Sequence, residues 1–259
     1  MRLSLDTYSV CQHMPLPHLL ELLRANRFEA VEFRCEAGQA HGVELETGPA
    51  RRRELRHLIT EAGLEVSVLS TGQRFDSPDP AIRAAAVERS KRYIELADAL
   101  GAKGIRLFGN DFPDGVPRDE VIVYVGEALR AVGEFAAGSE VLALLEMHGQ
   151  FYYWEYALGA VQAADHPQVA INYNCDHRDL VDGSVAFVLS KVGHLIRHVH
   201  LHDLADEGFP YRELLQALYV RGYGGFLSLE LGYSGGDPDS VIRLQAALYR
   251  ALMATVESS

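Results

Sequence analysis

Four apolar runs decide the fold: VLALLEMHG at 141–149, VAINYNCDH at 169–177, IRHVHLHD at 196–203 and FLSLELGY at 226–233. Each is rich in Val, Ile, Leu or Phe, has the length of one strand, and is followed by turn or helix-start residues. Each also carries one metal-type ligand near its end: Glu146, Asp176, His200 and Glu230 in turn. If the runs are parallel neighbours, these four side chains converge at one rim. Two Glu, one Asp and one His there make a divalent-cation site with carboxylates bound directly to the ion.

Working outward, the rest of the chain repeats the same unit. Strand-like runs at 2–10, 30–36, 65–72 and 104–110 alternate with helical patterns near 15–26, 49–62, 80–100 and 118–137. Further helical patterns, near 152–164, 184–193, 211–221 and 238–256, follow the four quoted runs. Pro15 suits a first helical turn and Gly63 a left-handed C-terminal cap. Eight strand-then-helix units in 259 residues predict a parallel (β/α)8 barrel forming a single domain over 1–259. The alternative, an open doubly wound sheet, lacks its GxGxxG signature after the first strand, and no GxxxxGK[ST] phosphate loop is present. A barrel places its chemistry at the C-terminal strand ends, which is where the four ligands fall.

Composition narrows the function. A formal net charge of −12 argues against a surface that grips nucleic-acid phosphates. The basic run Arg51–Arg53 falls in a helical pattern and reads as a solvated face. Three cysteines, Cys11, Cys35 and Cys175, lie far apart without CxxC spacing, which fits a reducing cytoplasm better than a disulfide framework. The N-terminus turns polar too soon for a signal peptide, and no run approaches the ~18 apolar residues of a membrane span. A small-molecule substrate is expected, with no nucleic acid and no membrane as partner. Apolar faces on the barrel helices leave room for a homo-oligomer.

Strand parity sharpens the site, since alternate residues face one side. Leu142, Leu144, Glu146 and His148 share a face; so do Asn172, Asn174 and Asp176, and Ser228, Glu230 and Gly232. His198, His200 and His202 also share one, and depth separates them: His198 as a core histidine, His200 at ligand height, His202 at the rim. A single strand-end Glu is ordinarily a cap or an ion-pair partner. Ligands on four successive strands are another matter, because three converging carboxylates need a cation. Oxygen ligation with one imidazole suits one Mn2+, Mg2+ or Co2+ ion, with Zn2+ also admissible. Arg34, His148, Arg178 and His202 are candidates for holding substrate hydroxyl, carboxylate or phosphate groups. For Arg34 and Arg178, ion pairs with Glu32, Glu36 or Asp179 are the competing reading.

On these residues the chain resembles the xylose isomerase-like barrel superfamily. Within it, the likeness is to the sugar isomerase/epimerase branch that includes the ketose 3-epimerases and hydroxypyruvate isomerase. LLEMHG looks like its Glu-x-His strand end, HVHLHD resembles its HxHxxD segment, and RGYGGFLSLEL is similar to its GYxGxxxxE run. The resemblance implies that Glu146, Asp176, His200 and Glu230 hold the metal and that Glu146 and Glu230 act as the acid/base pair. The reaction it implies is isomerisation or epimerisation of a small sugar or hydroxy-carbonyl compound through a metal-bound enediolate. Two positions depart from the ketose 3-epimerases. Their His three residues past the Asp ligand is Asp179 here, with His177 nearest, and their Arg six residues past the His ligand is Asp206. A metal-dependent lyase like the dehydroshikimate dehydratases is the rival reaction, and a non-catalytic binding protein is a further alternative. The apurinic-site endonucleases of the superfamily need histidines at the third and fourth strand ends, where this chain has Ser70-Thr71-Gly72 and Gly109-Asn110.

Overall fold

Strand and helix alternate through the structure, a computed structural model that describes residues 1–232 and 235–258. The strands are β1 (Arg2–Asp6), β2 (Ala30–Arg34), β3 (Glu65–Arg74), β4 (Gly104–Phe108), β5 (Leu142–Glu146), β6 (Val169–Asn174), β7 (Ile196–Leu201) and β8 (Phe226–Leu229). The helices are α1 (Leu16–Ala25), α2 (Pro49–Glu61), α3 (Pro80–Leu100), α4 (Arg118–Ala136), α5 (Trp154–Ala164), α6 (Ala186–Val192), α7 (Tyr211–Val220) and α8 (Pro238–Glu257). All strands pair in parallel and in chain order, and β8 returns to β1 to close the barrel. This is the (β/α)8 architecture read from the sequence.

Two apolar layers hold it. The larger fills the space between the strands and the helices and includes Leu5, Val31, Phe33, Leu107, Leu145, Leu201 and Leu229. A small inner cluster of Val68, Leu144 and Ala170 sits inside the barrel. Leu144 is therefore inward, and Glu146, two residues on, continues that face toward the C-terminal mouth. The rest of the interior is polar: Ser4, Glu32, Asn172, His198 and Ser228 are all buried.

Helix starts follow local chemistry. Asp79 caps α3 by accepting from the Ala81 N–H, Pro80 fills the first helical position, and Gly101 ends the helix in the left-handed region. The run expected to extend from 2 to 10 stops at Asp6, because the chain turns away over 8–13 toward α1. After β5 a 3-10 turn, Gly149–Tyr152, precedes α5. Gly149 has φ +62 and lies so close to the Asn110 carbonyl that a Cβ would meet its oxygen at 2.4 Å. Only glycine fits there, and the close approach locks the strand-end loop carrying His148 against the end of β4. Among the described residues, no helix is long and apolar enough to cross a membrane.

Candidate active site

The C-terminal strand ends open into a cavity of about 580 Å³. Its lining includes Arg34 of β2, Arg106 of β4, Glu146 of β5, Asn174 of β6, His202 past β7 and Glu230 past β8. Three of the four residues read as ligands meet at its floor. His200 Nδ1 lies 3.6 Å from Glu146 Oε1 and 3.5 Å from Glu230 Oε2. Their ligand atoms fall within 4.8 Å of one another, as do those of a deeper group, Glu32, His198 and His200, and either set of atoms is close enough to hold an ion.

Asp176 is not among them. β6 ends at Asn174, and Asp176 caps the following 3-10 turn, accepting from the Arg178 N–H while its carboxylate pairs with the Arg178 guanidinium at 2.7 Å. The β6–β7 register sets Asn174, not Asp176, beside His200. Asn174 donates its amide N–H to Glu146 Oε1 at 2.9 Å, and its oxygen accepts from His202 Nε2 at 2.7 Å. Counted from Asn174, the histidine three residues on is His177, whose Nε2 lies 2.8 Å from Asp206. With that count the first departure disappears, and the histidine in question pairs with the second, Asp206.

A residue that the sequence reading passed over occupies the centre. Arg106 comes up from β4 with its side chain 2 % exposed, its Nε 3.2 Å from Glu146 Oε2 and its Nη1 3.7 Å from Glu230 Oε1. Nε and Nη2 donate to the Thr71 carbonyl at 3.3 and 3.1 Å, the Thr71 hydroxyl donates back to the Arg106 carbonyl, and the guanidinium carbon sits 4.6 Å from the Phe108 ring centre. Its signal was a lone arginine at the middle, inward position of an otherwise apolar strand, GIRLF. Glu32, below, was read only as a partner for Arg34. Instead it accepts from His198 at 2.7 Å and from His200 at 3.0 Å, with the Ser70 hydroxyl also donating to it.

These contacts set the charges. Burial alone would raise the Glu146 carboxyl, but Arg106 and His200 outweigh it and hold the group at about 2. Burial opposes charge on His200 as well, yet Glu32, Glu230 and Glu146 around it hold its pKa well above the usual imidazole value. Burial and the neighbouring Glu32 and Glu230 push the Asp6 carboxyl well above its ordinary value.

The four substrate-binding candidates reach the mouth in different states. Arg34 has no carboxylate within ion-pair reach among the described residues and lies over the Tyr8 ring, 4.7 Å from its centre. Arg178 is held by Asp176 and lies 4.0 Å over Tyr152. The exposed His148 sits with Nδ1 2.7 Å from Asn110 Oδ1. His202 is fixed between Asn174 and the Glu230 carbonyl oxygen, 3.1 Å from its Nδ1.

Residues 20–252 match the family model described as xylose isomerase-like TIM barrel. The putative L-ribulose-5-phosphate 3-epimerase UlaE of Shigella dysenteriae is 24% identical over 253 residues, 91% of this chain and 89% of the relative. Among solved structures, 3-keto-D-glucoside 4-epimerase YcjR from E. coli superposes with a TM-score of 0.80 at 17% identity, covering 97% of this chain and 99% of that one. The probable 3-DHS dehydratase AsbF from Bacillus anthracis does so with a TM-score of 0.73 at 20% identity, covering 96% and 99%.

Proposed function

Because the chain belongs to the xylose isomerase-like TIM barrel family, we propose that it epimerises or isomerises a small hydroxy-carbonyl sugar at the barrel mouth, by proton transfer at carbon beside the carbonyl. One observation carries this reading: the carboxylates of Glu146 and Glu230 both lie beside a single buried guanidinium, at 3.2 and 3.7 Å. An enediolate reaction asks for one group to take a proton, one to return it, and a positive charge where the oxyanion develops.

The family resemblance implies one divalent ion on Glu146, Asp176, His200 and Glu230. The spacing of Glu146, His200 and Glu230 would admit an ion, but the full set does not fit. Its fourth carboxylate is turned onto Arg178, the position beside His200 is a neutral amide, and a guanidinium already faces both remaining carboxylates. The proton transfers therefore fall to this chain's own side chains.

Glu146 is ionised at neutral pH and takes the proton from carbon. The bonding pair moves into the new C=C bond, and the carbonyl oxygen gathers charge against Arg106. Glu230, 11 % exposed and open to solvent protons, returns a proton to carbon. Exchange with water then resets both carboxyl groups. Arg34, the cation without an acidic partner, suits an anionic substituent such as a phosphate or carboxylate, and His148, His202 and Arg178 suit hydroxyl groups. A dehydratase would begin with the same proton removal and then expel a hydroxyl.

Incubating the protein in D2O with a panel of ketoses, their phosphates and hydroxy acids tests the reading. Deuterium should enter the carbon beside the carbonyl, and Glu146→Gln and Glu230→Gln should each slow this by ~100-fold or more. Unchanged rates in both variants refute the assignment, and a dehydrated product transfers it to the lyase class.

A further inference from the structure

We propose that Arg106 is itself the cation of this reaction centre, a catalytic residue standing where the family resemblance implies a divalent ion. The proposal rests on the mouth being the reaction centre. Its support is the way the surrounding side chains have been fitted to a guanidinium.

Arg106 is built in. Two of its nitrogens are committed to the Thr71 carbonyl, at 3.3 and 3.1 Å, and the strand carrying it is tied back through the Thr71 hydroxyl at 2.7 Å. Moving it aside for a metal would strip the Thr71 carbonyl of both bonds and strand a buried charge. Leaving it in place would set a divalent ion beside a fixed positive charge, both competing for Glu146 and Glu230.

Asn174 makes the same point from the opposite side. An aspartate at this position would bring a third carboxylate within hydrogen-bond distance of Glu146 and would require an ion to bridge them. The amide instead donates to Glu146 at 2.9 Å and accepts from His202 at 2.7 Å. At Glu146 the amide satisfies Oε1 by a hydrogen bond, while the guanidinium balances the charge near Oε2, an oxygen with no hydrogen-bond partner of its own among the described residues and so open to a proton from substrate.

Nη1, which is not used on Thr71, is the nitrogen nearest Glu230 and the one placed to receive the carbonyl oxygen. As the C–H proton passes to Glu146, the carbonyl electron pair settles on that oxygen against Nη1. Protonation at carbon by Glu230 returns the pair, and no oxidant, reductant or co-reactant enters.

Metal binding tests this without a substrate. The protein, purified without chelator, is assayed for metal content and then titrated with Mn2+, Zn2+ and Co2+ by equilibrium dialysis, with Co2+ absorption bands reporting ligation. The wild type should bind no stoichiometric ion through Glu146 or Glu230. An ion that survives both Glu146→Gln and Glu230→Gln is held elsewhere, as the deeper Glu32, His198 and His200 group would allow, and agrees with the proposal. The double substitution Arg106→Gln/Asn174→Asp, checked for folding by circular dichroism, should gain a site that Glu146→Gln removes. If that variant does not fold, the wild-type titration decides alone. A stoichiometric ion in the wild type that Glu146→Gln abolishes overturns the proposal. A wild type that binds no such ion yet exchanges no substrate proton refutes the reaction and with it the catalytic role of Arg106, whereas an ion lost in Glu146→Gln from a protein that does exchange refutes Arg106 alone, so the two readings fail separately.

Discussion

Glu146→Gln tests the electrostatics of the floor before any substrate is known. Three groups favour a charged carboxylate there: the Asn174 amide at 2.9 Å, the Arg106 guanidinium at 3.2 Å and His200 at 3.6 Å. The guanidinium and the imidazole bring the group from 4.5 to about 2 although burial works the other way. At ~1.36 kcal/mol per pH unit, that difference amounts to roughly 3 kcal/mol of folding stability. The side chain is 1 % exposed, so solvent screening takes little from it. Glutamine keeps the shape and an accepting oxygen but leaves the buried guanidinium with Glu230 alone, so a loss of about 3 kcal/mol at pH 7 is expected. In urea this lowers the unfolding midpoint by ~1 M or more, given slopes of ~1–3 kcal/mol per M. Because the folded-state value is depressed, the stabilisation is fully present above pH 4.5 and disappears as pH falls through 2. The two midpoints should therefore be well separated at pH 7 and draw together as the medium is acidified below pH 4.5. Coincident midpoints at pH 7, or a gap indifferent to acid, would refute the picture of a carboxylate held ionised by these neighbours.

Two further outcomes can be checked independently. Arg34→Ala should raise KM for phosphorylated or carboxylated substrates by ~10-fold or more while leaving kcat and the KM of neutral sugars nearly unchanged; a uniform fall in kcat across both classes counts against an anion-binding role. Asp179, buried and accepting from the Tyr152 hydroxyl at 3.0 Å, has its carboxyl raised by burial to about 6. A raised value means that its ionisation destabilises the fold as pH climbs through 6, so Asp179→Asn should be more stable than wild type at pH 7 by roughly 2–3 kcal/mol. The advantage should vanish near pH 4, and equal melting temperatures at both pH values would contradict it.

The barrel was legible because its signal is repeated. Eight apolar runs with turn and helix residues between them leave few alternatives, and period two alone turns Glu146, His200 and Glu230 inward. Asp176 misled because parity holds only while the strand lasts. β6 stops at Asn174, and two residues later the backbone is capping a turn, with Arg178 at hand to take the carboxylate. Arg106 was hidden for another reason. A single arginine in GIRLF gives no local hint that the strand's inward face meets carboxylates from β5 and β8. Gly104, on the same face, is packed so tightly that a Cβ would meet Leu144 at 2.6 Å, but that contact exists only once the barrel has closed. Glu32 and its histidines lie 166 and 168 residues apart, beyond the reach of any spacing argument.

That last separation bears on how the chain folds. Glu32 belongs to the second strand and its imidazole partners to the seventh, so the first half of the barrel offers this carboxylate the Ser70 hydroxyl but neither imidazole. A half-formed barrel would have to bury Glu32 without its imidazole partners, or keep its centre wet until the other half arrives. Closure and drying must then come together and late, after contacts of very long sequence separation have formed, which predicts slow, cooperative folding with the central charges assembled in the last step.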